Sequence, residues 1–330
     1  MSRAYLCVSI DTECDKGPAW RSRRPMSFEG VHVGIIERLQ PLFASYGAKP
    51  TYLVSPEVLR DERCAEELKR LEASCELGAH LHGEYAEPGA WEPEVTRDFQ
   101  RDYDPDVEKQ KLTYLTDQFI RAFAHHPVSF RAGRFGIGPQ TIRILESLGY
   151  AVESSVTPNV DWSSAGSPGL NFEGAPTQPY RPDRDDPTRP GDSTILEIPV
   201  TIRRRLLNSI PGIGKRLEPR WLRPTWTSGE ALVRLAEDEI ADARRAAPGR
   251  AVVLNAMLHN TEVIPDASPY ADGETDARAI LDRLRHLLAF AQRESIAVIG
   301  LGDVPEVMEA KAVLEPALTS LPLLGRSQKT

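Results

Sequence analysis

The sequence has little of several features that mark large classes of protein. Its 330 residues include only four cysteines, none in a CxxC pair, so ordinary reduced thiols are expected. A net charge of −8 disfavours nucleic-acid binding, which usually needs a basic surplus. No apolar run approaches the roughly 20 residues that span a bilayer, and no signal-peptide core precedes the first strand-like run. We therefore expect a cytoplasmic protein that binds no nucleic acid.

A dinucleotide-binding signature is also missing, because no GxGxxG motif follows the first apolar run. The chain instead alternates short apolar runs with helical patterns. We count seven or eight such strand–helix repeats over about 300 residues, which is typical of a (β/α) barrel or a distorted relative. An open, doubly wound sheet is the alternative.

The domain organisation is predicted to be simple. Residues 1–310 form one domain, with loop insertions near 83–104 and 157–193, and residues 311–330 form a loose tail. The second insertion is crowded with proline, glycine and aspartate. Loops of this length in compact domains are usually functional or disordered, so we expect both insertions to border a binding site.

The segment CELGAHLHGEY, residues 75–85, holds the most informative pair of side chains. His80 and His82 end a short apolar run, and Glu84 follows two residues later. Positions i, i+2 and i+4 of a strand point to the same side, so two imidazoles and a carboxylate can face one point. This spacing predicts a metal site.

Polar residues also end three other predicted strands. Asp11 and Glu13 follow the first apolar run, Arg131 ends the fourth, and His259 ends the run VVLNAML. In a parallel barrel, all strand C-termini open on one face, where active sites form. We therefore predict that these side chains meet the histidine pair.

Five segments, SIDTE, ELGAHLHGE, FRAGRFGIG, ESSVTPNVDW and MLHNTEVIPDASPY, occur in this order. Together they resemble the sequence blocks of the polysaccharide deacetylase (NodB-homology) family, in its divergent branch associated with bacterial surface polysaccharides. The resemblance extends from about residue 4 to about residue 300. It implies a distorted (β/α)7 barrel and metal-dependent removal of acetyl groups from an N-acetylated sugar or glycan.

The resemblance also implies catalytic roles. Asp11 matches the family's catalytic base, Arg131 the arginine that orients the base, and His259 the catalytic acid. A divalent ion with three protein ligands lowers the pKa of a bound water to about 7 and polarises the acetyl carbonyl. The base then takes the water's proton and the acid protonates the departing nitrogen.

The expected metal ligands depart from the family pattern. The usual first block has two adjacent aspartates, the second of them a ligand, but Thr12 occupies that place here. Glu13 is the nearest substitute. His80 matches the first ligand histidine, whereas Glu84 fills the slot of the second and His82 lies between them. We predict one ion, zinc by its ligand types, on Glu13, His80 and His82, with Glu84 as the alternative ligand.

Two other functions remain open at this stage. A catalytically silent glycan-binding barrel would keep the fold and lose the metal, as the departures from the family pattern allow. A metal hydrolase of the amidohydrolase type also carries a His-x-His pair at a strand end. There the pair normally follows the first strand, whereas here it follows the third, so this function is the least favoured.

Candidate substrate contacts lie in the insertions. Trp91 belongs to the first, and Asp161 and Trp162 match a family block that borders the substrate groove. A separate basic stretch, residues 202–226, carries two tryptophans in a chain that is acidic overall. It predicts contact with an anionic partner, either a peripheral membrane surface or an anionic glycan. The oligomeric state stays open.

Overall fold

The structure, a computed structural model, describes residues 2–89, 99–165, 167–204 and 218–309. The strands within these ranges are β1 (Ala4–Thr12), β2 (Thr51–Val54), β3 (Glu76–Leu81), β4 (Ser129–Ala132), β5 (Val152–Glu153), β6 (Leu196–Glu197), β7 (Ile202–Arg203), β8 (Arg220–Trp221), β9 (Val252–His259) and β10 (Ala297–Val298). The helices are α1 (Gln40–Ser45), α2 (Pro56–Arg60), α3 (Glu62–Lys69), α4 (Pro105–Phe123), α5 (Thr141–Leu148), α6 (Gly229–Ala246), α7 (Glu274–Arg293) and α8 (Val304–Glu309). A π-helical segment, Gly30–Leu39, leads into α1.

The main sheet is parallel and closes on itself. Strand order is β10-β1-β2-β3-β4-β5-β6, and β9 pairs with β1 along eight residues. Beyond β6, the Thr201 N–H donates to the Asn255 carbonyl of β9 (2.9 Å), and the Asn255 N–H donates to Thr201 Oγ1 (2.8 Å). These bonds join the two ends of the sheet. The fold is the predicted distorted (β/α)7 barrel, and the open doubly wound sheet is excluded.

The barrel interior has an apolar layer below a polar one, because alternate side chains of each strand point inward. The apolar layer contains five strand side chains, and two from the segment after β10 pack against it: Cys7, Leu53, Val152, Leu196, Val253, Leu301 and Val304. Toward the C-terminal ends of the strands, the inward positions carry polar groups. The strand pattern therefore concentrates buried polar chemistry at one end of the barrel.

The helices cover the barrel with apolar stripes of helical period. In α7 the buried positions recur three or four residues apart, from Ala277 to Ala291. The sequence pattern of residues 56–74 predicts a single helix that begins at a proline, and this prediction is wrong, because the chain breaks at Asp61 into α2 and α3. The Asp61 carboxylate accepts a hydrogen bond from the Cys64 N–H (2.9 Å), and this N-cap starts a new helix.

The predicted domain limits stay a prediction. Residues 310–330, and residues 90–98 within the first insertion, lie outside the described residues. Among the residues that the structure describes, no helix is both long enough and apolar enough to cross a membrane.

Two buried carboxyl groups face each other under the second insertion. Glu153 and Glu197 are register partners on β5 and β6, and neither is exposed to solvent. Tyr180 of the insertion pairs with Glu197 through two backbone hydrogen bonds (2.8 and 3.1 Å). Burial raises the pKa of Glu197 well above its ordinary value, and the neighbouring Glu153 raises it further. The folded protein therefore holds a proton on this pair that the unfolded chain releases.

We expect Glu197→Gln to stabilise the protein at neutral pH. When folding raises the pKa of an acid, the folded protein loses stability as pH rises above the unfolded pKa of that group, about 4.3. An amide does not titrate, so it causes no such loss. The gain is present at pH 7 and disappears below about pH 4, where the carboxyl group is protonated in the folded and the unfolded chain alike. Urea unfolding at several pH values measures it.

Glu146→Gln is the matched control with the opposite sign. Arg184 and Thr194 bond the Glu146 carboxylate and lower its pKa, so removing the charge reduces stability above its ordinary pKa. A Glu197→Gln variant that is less stable than the parent at pH 7 would contradict the conclusion that the folded protein holds a proton on the Glu153–Glu197 pair.

Candidate active site

Arg131 of β4 is fully buried inside the barrel and orients Asp11. Its Nη1 donates to Asp11 Oδ1 (2.7 Å), and its Nη2 donates to Ser9 Oγ (2.8 Å) and Ser154 Oγ (2.9 Å). Its Nε donates to the Ser154 carbonyl (2.7 Å). Asn255 bonds both serine hydroxyls at 2.9 Å. The guanidinium is thus bound on three sides by a buried polar layer, and the Asp11 carboxylate has one orientation.

The histidine pair and Glu13 point to one another. His80 Nε2 lies 3.2 Å and His82 Nε2 lies 2.7 Å from Glu13 Oε1. His80 Nδ1 lies 2.9 Å from the Arg131 carbonyl, which can only accept, so this nitrogen carries the proton and Nε2 keeps its lone pair. The alternation of β3 delivers both imidazoles to the interior, as predicted.

Lys16, Glu84 and Arg134 surround this group. The Lys16 ammonium forms an ion pair with Glu13 Oε2. Glu84 belongs to a 3-10 turn, Gly83–Tyr85, which begins after β3 has ended. Its Oε1 lies 3.2 Å from His82 Nδ1 and accepts from Arg134 Nη2 (2.6 Å). Glu84 therefore supports His82 from behind, on the ring nitrogen that faces away from Glu13.

His259 ends β9 and is fixed by a second acid. Its Nδ1 lies 2.7 Å from Glu262 Oε1, three residues later in the 3-10 turn Asn260–Val263. Arg223 and Thr225 both donate to the Glu262 carboxylate. Because Nδ1 faces this carboxylate, Nε2 points toward the centre of the site.

The four strand ends converge on one point. Asp11 Oδ2 lies 3.9 Å from His80 Nε2 and 3.8 Å from His259 Nε2, and Glu13 Oε1 lies 4.0 Å from His259 Nε2. Strand register produces this convergence, since Asp11 pairs with His259 and His80 pairs with Arg131. The structure thus brings together the side chains that the sequence singled out at strand ends. Their roles stay predictions.

Opposite charges decide the ionisation of the buried groups. Burial alone raises the pKa of Asp11, but Arg131 and the neighbouring imidazoles lower it below its ordinary value. Burial likewise raises the pKa of Glu13, and His82 and Lys16 lower it well below the usual range. Burial lowers the pKa of His82, yet Glu13 raises it above the ordinary value. Both carboxylates are therefore ionised at neutral pH.

A divalent metal ion fits the ligand atoms of Glu13, His80 and His82. Their ligand atoms all lie within 4.8 Å of one another. Bonds of about 2.0–2.2 Å at tetrahedral angles place such atoms about 3.4 Å apart. The distance from Glu13 Oε1 to His80 Nε2, 3.2 Å, is close to this value, and the 2.7 Å to His82 Nε2 would lengthen on binding. Both histidines are held through Nδ1, by a carbonyl and a carboxylate, as metal-binding histidines usually are. Thr12 takes no part, since its hydroxyl donates to the Ile10 carbonyl (3.1 Å).

An aromatic rim borders the site. Six rings in successive contact run from His259 to the guanidinium of Arg131. From the His259 ring, centroid distances along the rim are 5.1 Å to Trp20, then 5.5 Å to Tyr270, 5.8 Å to Trp226, 6.2 Å to Trp221, 6.2 Å to Trp162 and 5.7 Å to Phe135. Phe135 ends the rim 5.8 Å from the Arg131 guanidinium. Trp226 is 55% exposed, so the rim offers aromatic surface to solvent.

The predicted substrate contacts have different outcomes. Trp162 belongs to the aromatic rim, and its Nε1 donates to Thr157 Oγ1 (2.9 Å). Asp161 is exposed and accepts from the Ser163 N–H (2.9 Å), which closes a local turn. Trp91 lies outside the described residues. Binding by all three stays a prediction.

The basic stretch 202–226 is described only in part, because residues 205–217 lie outside the described ranges. Arg203 bonds Glu239 (2.9 Å), and Arg223 bonds Glu262 inside the site. These two guanidiniums are thus already neutralised by acids of this chain. Contact with a membrane or an anionic glycan stays a prediction.

Several residues of the site are not identified by the sequence patterns. Glu262 follows His259 by three residues, a spacing that a tight turn after the strand could have revealed. Lys16 and Trp20 belong to the loop after β1, and nothing in their local pattern distinguishes them from surface residues. Arg223 was assigned to the basic stretch, although its guanidinium stacks on Trp226 at 4.1 Å.

Comparison with solved structures supports the fold. No protein-family model matches the chain, and no curated protein matches it in sequence. A polysaccharide deacetylase homologue from Mycobacterium smegmatis is 18% identical, with a TM-score of 0.55 over 98% of this chain and 96% of its own. A glycoside hydrolase/deacetylase homologue from Parabacteroides distasonis is 12% identical, with a TM-score of 0.62 over 94% of this chain and 72% of its own. Puue allantoinase is 14% identical, with a TM-score of 0.56 over 93% of this chain and 90% of its own. The chain thus resembles polysaccharide deacetylases in fold, and its reaction must be argued from the site.

We expect Arg131→Met to destabilise the protein strongly. The change leaves the Asp11 charge buried without its partner and Ser9 Oγ without its donor. Breaking a buried ion pair in this way costs about 3–5 kcal/mol of unfolding free energy, measurable by urea unfolding.

Arg143→Met is the matched control, because Arg143 makes a bidentate pair with Asp185 (2.6 and 2.7 Å) that is exposed on the surface. Its loss should change stability far less. Equal losses in the two variants would contradict the structural role assigned to Arg131.

Proposed function

We propose that the protein is a metal-dependent hydrolase that removes the acetyl group from an N-acetylated sugar or glycan. One observation carries the proposal: a buried carboxylate, a three-residue ligand group and a third imidazole converge at the mouth of the barrel, where Asp11 Oδ2 lies 3.9 Å from His80 Nε2 and 3.8 Å from His259 Nε2. Amide hydrolysis needs these components together, since the carbonyl must be polarised, the water deprotonated and the amine protonated.

Glu13, His80 and His82 would hold the ion. When bound, a divalent ion, zinc by the ligand types, supplies Lewis acidity that acidifies a water and polarises the acetyl oxygen. Lys16 holds Glu13 Oε2, which leaves Oε1 directed at the two imidazoles. Glu84 fixes the His82 ring from its far nitrogen.

Asp11 acts as the general base. Arg131 binds its Oδ1, so Oδ2 is the oxygen that faces the site and accepts the proton of the attacking water. The low pKa of Asp11 keeps this oxygen ionised at neutral pH. Asp11 is not a ligand in this scheme, and its loss should spare metal binding.

His259 acts as the general acid. Its Nε2 lies 3.8 Å from Asp11 Oδ2, on the opposite side of the space where the water and the acetamide meet. Glu262 stabilises the protonated ring through Nδ1. Transfer of that proton to the nitrogen releases the amine, and acetate is the second product.

The aromatic rim supports a sugar substrate. The C–H faces of a pyranose ring pack on aromatic faces, and Trp226 and its neighbours offer such faces beside the catalytic groups. The family resemblance adds that the glycan belongs to surface-polysaccharide assembly.

A catalytically silent glycan-binding barrel is the second candidate. The Lys16 ammonium on Glu13 favours it, because this cation already neutralises the one carboxylate of the ligand group. Elemental analysis separates the two candidates. A stoichiometric ion that depends on His82 supports the enzyme, and its absence after incubation with zinc supports the silent barrel.

We expect acetate release from N-acetylated oligosaccharides that a chelator abolishes and zinc restores. Asp11→Asn should lower kcat/KM by about 10²–10⁴-fold, the usual contribution of a general base. His82→Ala should lose one equivalent of bound metal, whereas Asp11→Asn should retain it.

Asp303→Asn is the matched control, since Asp303 pairs with Lys49 just before the start of β2, away from the C-terminal strand ends that converge. It should leave the rate unchanged. Full activity of Asp11→Asn, or full activity in the presence of chelator, would refute the mechanism.

We expect Trp226→Ala to raise KM for an oligosaccharide with little change in kcat. The ring would contact bound sugar equally in the ground and transition states, so its loss weakens uniform binding. Trp226→Phe keeps an aromatic face and should restore most of the affinity. A lower kcat with unchanged KM would contradict a binding role for the aromatic rim.

A further inference from the structure

A second group of ligating side chains lies outside the barrel, between the π-helical segment Gly30–Leu39 and α3. His32 of the segment, and Asp61 and Cys64 at the start of α3, each offer one ligand atom. These three atoms all lie within 4.8 Å of one another. An imidazole, a carboxylate and a thiol in one place form a donor set that surface acidic clusters lack.

His32 is oriented in the manner of a metal ligand. Its Nδ1 lies 2.7 Å from Glu67 Oε2, and Arg63 Nε donates to Glu67 Oε1 (3.0 Å). A carboxylate on Nδ1 keeps the proton there, so Nε2 retains its lone pair and faces Cys64. Carboxylate–histidine pairs of this kind commonly support metal ligands.

The Cys64 thiol is fully buried. Its neighbours are the Asp61 carboxylate and His32 Nε2, which lies 4.0 Å from Sγ, the far limit for a hydrogen bond to sulfur. Tetrahedral zinc, with Zn–S of about 2.3 Å and Zn–N of about 2.0–2.1 Å, places these atoms about 3.6 Å apart. A shift of a few tenths of an ångström therefore converts the contact into a shared coordination.

The thiol is inert without an ion. Burial and the Asp61 carboxylate raise its pKa, so it stays protonated and unreactive at neutral pH. A cysteine beside a histidine often acts as a nucleophile, but a protonated thiol is a poor one, so Cys64 is not expected to have that role. A bound cation would displace the proton, as metal binding to thiols does.

We propose that His32, Asp61 and Cys64 form a binding site for Zn²⁺, separate from the ligand group in the barrel. Three protein donors leave a fourth position for water. The ion would join the π-helical segment to α3, which the His32–Glu67 contact already links. Its expected effect is on stability, and it does not depend on the function proposed for the barrel.

Cobalt tests the site directly, because a thiolate ligand gives Co²⁺ an intense near-ultraviolet charge-transfer band. The titration uses the full chain with His80→Ala and His82→Ala, which removes the barrel ligands. We expect the band to appear at one equivalent, to vanish with Cys64→Ser and to persist with Cys75→Ser, a second buried thiol. Glu67→Gln should weaken binding about tenfold.

A second measurement covers the case in which the double background variant fails to fold. In the otherwise unmodified chain, zinc bound at saturation should fall by one equivalent with Cys64→Ser, and Zn²⁺ should no longer raise the melting temperature as far. A cobalt band that survives Cys64→Ser, or one that never appears at millimolar Co²⁺, overturns the proposal. Equal zinc content in the Cys64→Ser and Cys75→Ser variants also overturns it.

Discussion

The candidate site depends on one guanidinium buried where a barrel would otherwise carry an apolar side chain. Burying the charge of Arg131 is costly, and only a full set of hydrogen bonds offsets the cost. Ser9, Ser154 and Asp11 supply those bonds. The backbone carbonyl of Arg131 also accepts a hydrogen bond from the Nδ1–H of His80. One residue therefore orients the carboxylate and fixes the tautomer of an imidazole, which links the two halves of the site.

Sequence patterns were sufficient for the features that follow from periodicity. Alternation in β1 and β3 directs Asp11, His80 and His82 inward, and parallel pairing brings strand C-termini to one face. The order of strands and helices predicts a barrel with an open doubly wound sheet as the alternative, and the family resemblance implies the distorted (β/α)7 form. Such predictions succeed because each depends on only a few residues of local pattern and on a rule that holds for all parallel barrels.

Features that depend on loop conformation could not be read from the sequence. Strand alternation would direct Glu84 at the same point as the histidines, but the chain turns at Gly83 and moves its carboxylate to the far side of His82. Glu13 reaches the ligand position because the chain has left the regular strand at Thr12. Most rings of the aromatic rim come from separate segments, and only the contact between Trp221 and Trp226 joins residues that are close in sequence. The break between α2 and α3 has a local cause, the cap at Asp61, that a long helical pattern conceals.

The pairing of β1 with β9 has a consequence for how this scaffold can change. Asp11 and His259 are opposite one another in a continuous ladder, so the spacing between the proposed proton acceptor and proton donor is set by the interstrand distance of about 4.8 Å. The rings of the aromatic rim, which we propose to contact the substrate, come instead from segments outside the main sheet. Under the proposed function, recognition and chemistry belong to separable parts, and grafting new connections onto the barrel would redirect its selectivity while the reacting groups keep their geometry.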